Sequence, residues 1–510
     1  MKEKAKLLFA CVGVLAAVSL VFFESEARAF QLDEQGKFTL GGYIEHQIGV
    51  RLSHGAKDLL NEVRGEKYLQ DKGDISISRT SLFLDFGARF NDIWQFKSIS
   101  RVHYESMWNL DDSIYQKPKD DESRPHRDGL DMDFDMEFRE YYFTFSGEAL
   151  TLKIGKQQVA WGEADSIRIA DVINPLDLSW YWSFPAWEEI RIPLHMVDAI
   201  YSFPDSTHNV YIETVWVPDF RSHQYAAPGA NWDFLTQIGV PTNVADVNRR
   251  QQSSDLPDRR LDDFQGGIRV GALFNEWDCT LFGWYGRDHL GVNTLNFGVP
   301  ALFRYHYPKT FKLGATAAGY WAPVNSAIRF ESAFTFDQPY QTRNYNFLIP
   351  GVLTFDDIGV GGTSFEEKDT FEYMLGFDHH RMIPFLNRTK SFWFSGQFFQ
   401  KYIFSYDEDD PSKQLWSFLG DDDKDDVWTV GSLLINTEYY EGKIEPQVLA
   451  VEFFDSSSGF FDGHITYKHN YTLKFVLGFL NIWGNRNNAG LFYGPTRHND
   501  EVYFKAKLTF

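Results

Sequence analysis

Two kinds of link alternate along this chain, and they constrain its fold more than any other feature. Leu40, Gly42 and Ile44 alternate with Tyr43, Glu45 and Gln47, and Leu82, Leu84, Phe86, Ala88 and Phe90 alternate with Ser81, Asp85 and Arg89. Period two is the side-chain period of a β-strand with one apolar and one polar face. Such segments recur to the end of the chain and give about eighteen strands, with about sixteen as the lower count. Odd-numbered strands are mostly followed by long polar stretches, at 53–74, 109–133, 160–193, 218–262, 289–307, 339–366, 406–426 and 484–498. Even-numbered strands are mostly followed by tight links such as Asn91-Asp92, Gly147-Glu148, Asn275-Glu276 and Glu441-Gly442, with one longer exception at 379–388. A water-soluble sandwich has no reason to sort its loops by length. A transmembrane barrel does, with short periplasmic turns and long outer loops. The expected fold class is all-β, a transmembrane antiparallel β-barrel.

The last ten residues, EVYFKAKLTF, fit that reading. Val502, Phe504, Ala506, Leu508 and Phe510 share one face, while Lys505 and Lys507 share the other. Closing a barrel pairs the last strand with the first and leaves no open edge for lipid to meet. Leu508 and Phe510 then face lipid, and a terminal Phe on such a strand resembles the signal read by the barrel-assembly machinery. In 134–145 the apolar face switches from Phe134, Met136 and Phe138 to Tyr141, Phe143 and Phe145. Either a β-bulge at Arg139-Glu140 or a strand protruding beyond the bilayer accounts for the switch. Trp94, Trp108, Trp216 and Trp428 near strand ends suit aromatic girdles.

Lys2, Lys4 and Lys6, the apolar run from Leu7 to Phe23, and Ala27-Arg28-Ala29 read as a secretory signal peptide over 1–29, with the barrel in 30–510. Its removal takes away four basic and three acidic residues, so the formal charge moves from −22 to −23. An acidic chain of this kind is a poor nucleic-acid binder. Only Cys279 remains after cleavage, and no cluster has metal or haem spacing, so neither cofactor nor metal is expected. Nor is there a G-x-S-x-G or H-E-x-x-H motif. The acidic runs at 407–410 and 421–426 lack EF-hand spacing and read as solvated outer loop.

Strand periodicity stops near Val159 and resumes near Leu194. A stretch of this length can fold back into a barrel and narrow its pore. Glu163, Asp165, Arg168, Asp177, Glu188 and Arg191 are its candidate constriction residues, and Trp161, Trp180, Tyr181 and Trp182 its candidate aromatic cargo contacts. This segment also carries a resemblance. Gly155-Lys-Gln-Gln-Val-Ala-Trp-Gly-Glu163, Ile173-Asn-Pro-Leu-Asp177 and Glu189-Ile-Arg-Ile-Pro193 are similar to the G-R-Q-x-V-x-W-G-E, I-N-P-x-D and E-x-R-x-P signature of an uncharacterised family of Gram-negative outer-membrane proteins. Lys156 stands where that family usually has Arg. The resemblance implies a porin-like barrel, often encoded beside resistance-nodulation-division exporters, that moves hydrophobic compounds; it implies no catalytic residue.

The leading expectation is therefore a non-enzymatic outer-membrane channel for passive passage or export of small, including hydrophobic, solutes. The alternative is a structural sleeve around a multihaem cytochrome or other partner, with an outer-membrane hydrolase third. Expected partners are outer-membrane lipid and lipopolysaccharide, the assembly machinery, and an exporter complex or periplasmic cytochrome.

Overall fold

The computed structural model describes residues 30–53, 72–107, 134–179, 186–225, 263–296, 302–342, 365–406, 415–416, 426–484 and 496–510. The signal-peptide reading, Trp108, the acidic runs as far as Asp425 and the Trp180-Tyr181-Trp182 cluster lie outside them. Eighteen strands run in chain order: β1 (Phe38–Arg51), β2 (Ile75–Arg89), β3 (Trp94–Glu105), β4 (Phe134–Ser146), β5 (Leu150–Gln157), β6 (Leu194–Ser202), β7 (Tyr211–Val217), β8 (Gln265–Phe274) and β9 (Trp277–Arg287). They continue as β10 (Lys309–Trp321), β11 (Ser326–Thr342), β12 (Phe365–Arg381), β13 (Phe392–Ile403), β14 (Val427–Asn436), β15 (Ile444–Phe453), β16 (Ser458–Lys468), β17 (Leu473–Trp483) and β18 (Glu501–Thr509). Each pairs antiparallel with its neighbours in sequence. β18 then pairs with β1, Phe504 opposite Ile48 and Leu508 opposite Ile44. Gly42 and Phe510 add a reciprocal pair of backbone hydrogen bonds, each 2.9 Å. The sheet is a closed barrel.

Alternation separates two faces. Met136, Ile154, Ile268, Leu281, Leu313, Leu375, Leu433, Ile465, Leu477 and Phe504 point outward and are exposed. An apolar belt of this kind on a closed sheet is a lipid-facing surface. Among the described residues no helix is long and apolar enough to cross a membrane, and the strands do the crossing. The tight links behave as their chemistry requires. Asn275 and Glu276 both adopt positive φ, 47° and 71°, as a two-residue turn between twisted strands demands. Links between even- and odd-numbered strands stay short, and the longer one follows β12. His379 and His380, expected in that link, lie instead at the end of β12, where the His379 ring meets Ser326 Oγ at 3.0 Å. The outer stretch after β9 carries a hairpin of its own, Val292–Asn296 with Leu302–His306, which period-two counting had passed over.

The phase switch in β4 is a bulge. Ile99 pairs with Glu140 and Ser100 with Phe138, which leaves Arg139 as the extra residue. The bulge turns the Arg139 guanidinium inward, where it is 1 % exposed.

Candidate functional site

The described parts of the segment between β5 and β6, residues 158–179 and 186–193, lie inside the barrel, because their atoms reach lumen-facing side chains on opposite walls. At one wall, Trp161 donates from Nε1 to Glu213 on β7 at 3.0 Å and packs edge-on against Trp284 of β9. Arg269 of β8 lies over the Trp161 ring, 5.7 Å from its centroid, and pairs with the same Glu213 at 2.9 Å. Further round, Glu331 of β11 accepts backbone N–H donors from Glu163, from Ala164 at 2.8 Å and from Ala170 at 3.1 Å. Gly162 has no side chain because a Cβ there would sit 2.8 Å from the Asp171 nitrogen and 3.1 Å from Glu331. Asp165 pairs with Arg329 at 2.8 Å and accepts from Gln397 of β13 at 2.9 Å.

At the other wall, the one-turn helix Trp187–Ile190 is held by its carbonyls. Arg139 donates to the carbonyl oxygens of Glu188 at 3.1 Å and Arg191 at 2.7 Å. Arg101 of β3 donates to that of Glu189 at 3.0 Å, and also pairs with Asp177 at 3.2 Å and Glu137 at 3.4 Å. The Tyr43 hydroxyl of β1 donates to the Glu189 carboxylate at 2.9 Å. Lys156 pairs with Glu137 at 3.2 Å. The segment's two ends are tied by Asn174, which is fully buried: its oxygen accepts from Val159 N–H at 2.9 Å and its amide donates to the Ile192 carbonyl at 2.9 Å. The three signature blocks thus hold one device, a segment strapped across a lumen.

Its two faces differ. Ile169, Ala170 and Ile173, with Ile167 and Val172, join lumen-facing Met374, Phe399, Val430, Val451, Phe460 and Leu480 of β12 to β17 in one buried apolar cluster. Against β1 to β3 and β18 the segment leaves instead a small open cleft of about 80 Å³. The barrel wall contributes Gln47, Arg79, Ser81 and Lys505 there, and the segment contributes Asp177, Glu189 and Ile190. The wall also contributes Arg101 and the acidic Glu45, so charges of both signs line the opening, in low-dielectric surroundings that strengthen each one.

The six candidate constriction residues divide accordingly. Asp177 faces the cleft, and Glu188, on the same short helix as Glu189, is exposed. Glu163 and Asp165 lie at the β11 wall. Arg168 and Arg191 turn into the segment itself, pairing with Asp171 at 3.0 and 2.7 Å. Trp161 is sealed against the wall at 2 % exposure. Period-two alternation places Gln47, Lys505 and Lys507 on the polar face, but it does not single out Glu331 or Arg139 as residues that hold the segment. On the outer side, His223 Nδ1 accepts from Leu176 N–H at 2.8 Å, and both ring nitrogens of His289 face carbonyls, those of Arg221 at 2.8 Å and Ile173 at 3.1 Å. Burial pulls the His289 imidazole down to about 4, although the two carbonyls and Asp288 favour its charged form. Burial and the neighbouring His289 and Arg168 hold His223 well below the usual histidine range. No group of three or more His, Cys, Asp or Glu side chains is arranged to hold a metal among the described residues.

No curated protein matches the sequence. Among solved structures, the chain is similar to OccAB3 of Acinetobacter baumannii at 7% identity and a TM-score of 0.47, over 93% of this chain and 99% of that one. It is similar to the outer membrane protein OmpT of Vibrio cholerae at 8% identity and a TM-score of 0.39, over 93% and 99%. It is also similar to the outer membrane channel DcaP of Acinetobacter baumannii at 9% identity and a TM-score of 0.38, over 93% and 97%. A family model described as a protein of unknown function, DUF1302, matches residues 10–510, and the chain belongs to that family.

Proposed function

We propose that this protein is an outer-membrane channel through which small solutes pass passively along the cleft between the strapped segment and the β1–β3 wall. The carrying observation is the asymmetry of the lumen: one face of the segment seals against apolar wall, and the other leaves a polar opening. Passage then depends on width and lining charge, with no covalent step. Paired charges of both signs across the cleft favour polar solutes, and the stacked Tyr43 and Phe83 rings, 5.1 Å apart, add an apolar contact for the hydrophobic part of a cargo. A sleeve around a partner protein is less well supported, because the lumen it needs is crossed by the segment's contacts to β3, β7, β11 and β13. Liposome swelling tests the proposal: purified protein admits small sugars and amino acids at rates that fall with solute size. Liposomes no more permeable than protein-free controls would contradict it.

A further inference from the structure

The longer link after β12, residues 382–391, is built to hold apolar side chains in the open. Phe385 is 85 % exposed, and Leu386 and Met382 are exposed beside it. The link is nevertheless firmly held. Asn387 is 3 % exposed; its oxygen accepts from Thr389 and Lys390 N–H at 3.0 Å, and its amide donates to Thr437 Oγ1 at 3.1 Å and the Glu438 carbonyl at 2.8 Å. Leu386 and Asn387 donate backbone N–H to the Ile383 carbonyl at 3.0 and 2.9 Å. A link tied this closely to the next turn had the means to tuck Phe385 away, and it presents the ring instead.

We propose that this link anchors the barrel in the phospholipid headgroup layer at its periplasmic end, with Phe385 and Leu386 inserted among acyl chains and Arg381, Arg388 and Lys390 on anionic headgroups. Two observations identify lipid as the occupant. The link starts where the lipid-facing belt ends: Phe377 of β12 is outward and exposed, Phe392 and Phe394 open β13 on its outward face, and Tyr440 and Tyr471 stand exposed on the two following turns. Aromatic residues collect at that depth because their rings suit the boundary between chains and headgroups. Charge is the second observation. Arg381 and Arg388 are exposed and have no ion pair among the described residues, and Lys390 has only a 3.5 Å pair with half-exposed Glu438. An apolar tip within a basic collar matches an anionic lipid surface.

The test uses a Phe385→Cys variant in a Cys279→Ser background, labelled with a polarity-sensitive dye and reconstituted into vesicles. An Asp205→Cys variant, in the exposed turn after β6, serves as the aqueous control. The label at 385 is expected to emit blue-shifted relative to 205, and more so with phosphatidylglycerol than with phosphatidylcholine alone. Exchanging Arg381, Arg388 and Lys390 together for Gln is expected to cut enrichment of anionic lipid around the barrel roughly tenfold or more. Aqueous emission at 385 in every vesicle overturns the proposal. So does a shift that appears only on adding periplasmic extract, which would make the occupant a protein. A shift equal in both lipids, with no effect of the triple exchange, overturns the assignment of the cations.

Discussion

Replacing Glu331 by Ala should free the half of the lumen segment that lies against β11. Its carboxylate is 1 % exposed and accepts three backbone N–H groups, from Glu163, Ala164 and Ala170. Hydrogen bonds to a charged group contribute about 1.5–3 kcal/mol each, and a buried donor left unpaired costs about 1–3 kcal/mol. Water entering the vacated space recovers part of this, so about 4 kcal/mol of local seating is lost. That corresponds to about a thousandfold shift toward an unseated segment. Trp161, Asn174 and Arg139 still hold their own parts, so release is confined to about residues 162–171. Two assays read it: amide exchange over 163–170 speeds up by orders of magnitude, and single-channel records gain long, larger-conductance openings. Glu331→Gln, which keeps one acceptor oxygen, gives an intermediate result. Heat-modifiable gel mobility stays normal, because the barrel ladder is untouched. Unchanged exchange and conductance in Glu331→Ala would mean that the carboxylate does not seat the segment, and the reasoning would fail.

Acid should loosen the outer contact. The folded His289 pKa, about 4, lies below the ordinary value of 6.5, so its contribution is complete above about pH 6.5 and is lost as pH falls toward 4. The full loss is about 3 kcal/mol, read as lower protection against exchange at the Ile173, Asn174 and Leu176 amides at pH 4.5, and absent in His289→Gln. Leu281 is outward and 67 % exposed on β9; Leu281→Arg should cost about 2–4 kcal/mol in a urea titration near the bilayer midplane, and Glu276→Arg in the adjoining turn about 0–1 kcal/mol. Equal costs would reverse the assignment of faces. Glu189→Gln removes one negative charge from the cleft and should shift the reversal potential toward anions in a salt gradient. An unchanged potential would place the ion path elsewhere.

Much of this architecture was legible in the sequence, because lipid and lumen impose a repeat of two on each strand and segregated loops on the whole chain. Even the bulge at Arg139 showed as a change of phase. The interrupted periodicity between Val159 and Leu194 located the segment, but its charges could not be sorted by type. Arg168 and Arg191 look as pore-ready as Asp177, yet both neutralise Asp171 within the segment. Glu331 was hidden for a different reason. On a strand any lumen-facing polar residue has the same local pattern, and which one meets the segment depends on how eighteen strands close. The apolar lumen wall escaped notice because β13 and β17 read apolar on both faces: Phe398 points outward and Phe399 inward.

The most direct measurement of the central claim is thiol block of the cleft in a planar bilayer. Ser81 lies on the cleft wall, and Met374 lies on the sealed wall, fully buried. In a Cys279→Ser background, Ser81→Cys should show stepwise loss of single-channel current when a charged methanethiosulfonate is added, reversed by reductant. Met374→Cys should not respond. Current that ignores modification at 81, or that falls only with modification at 374, would contradict passage through the cleft.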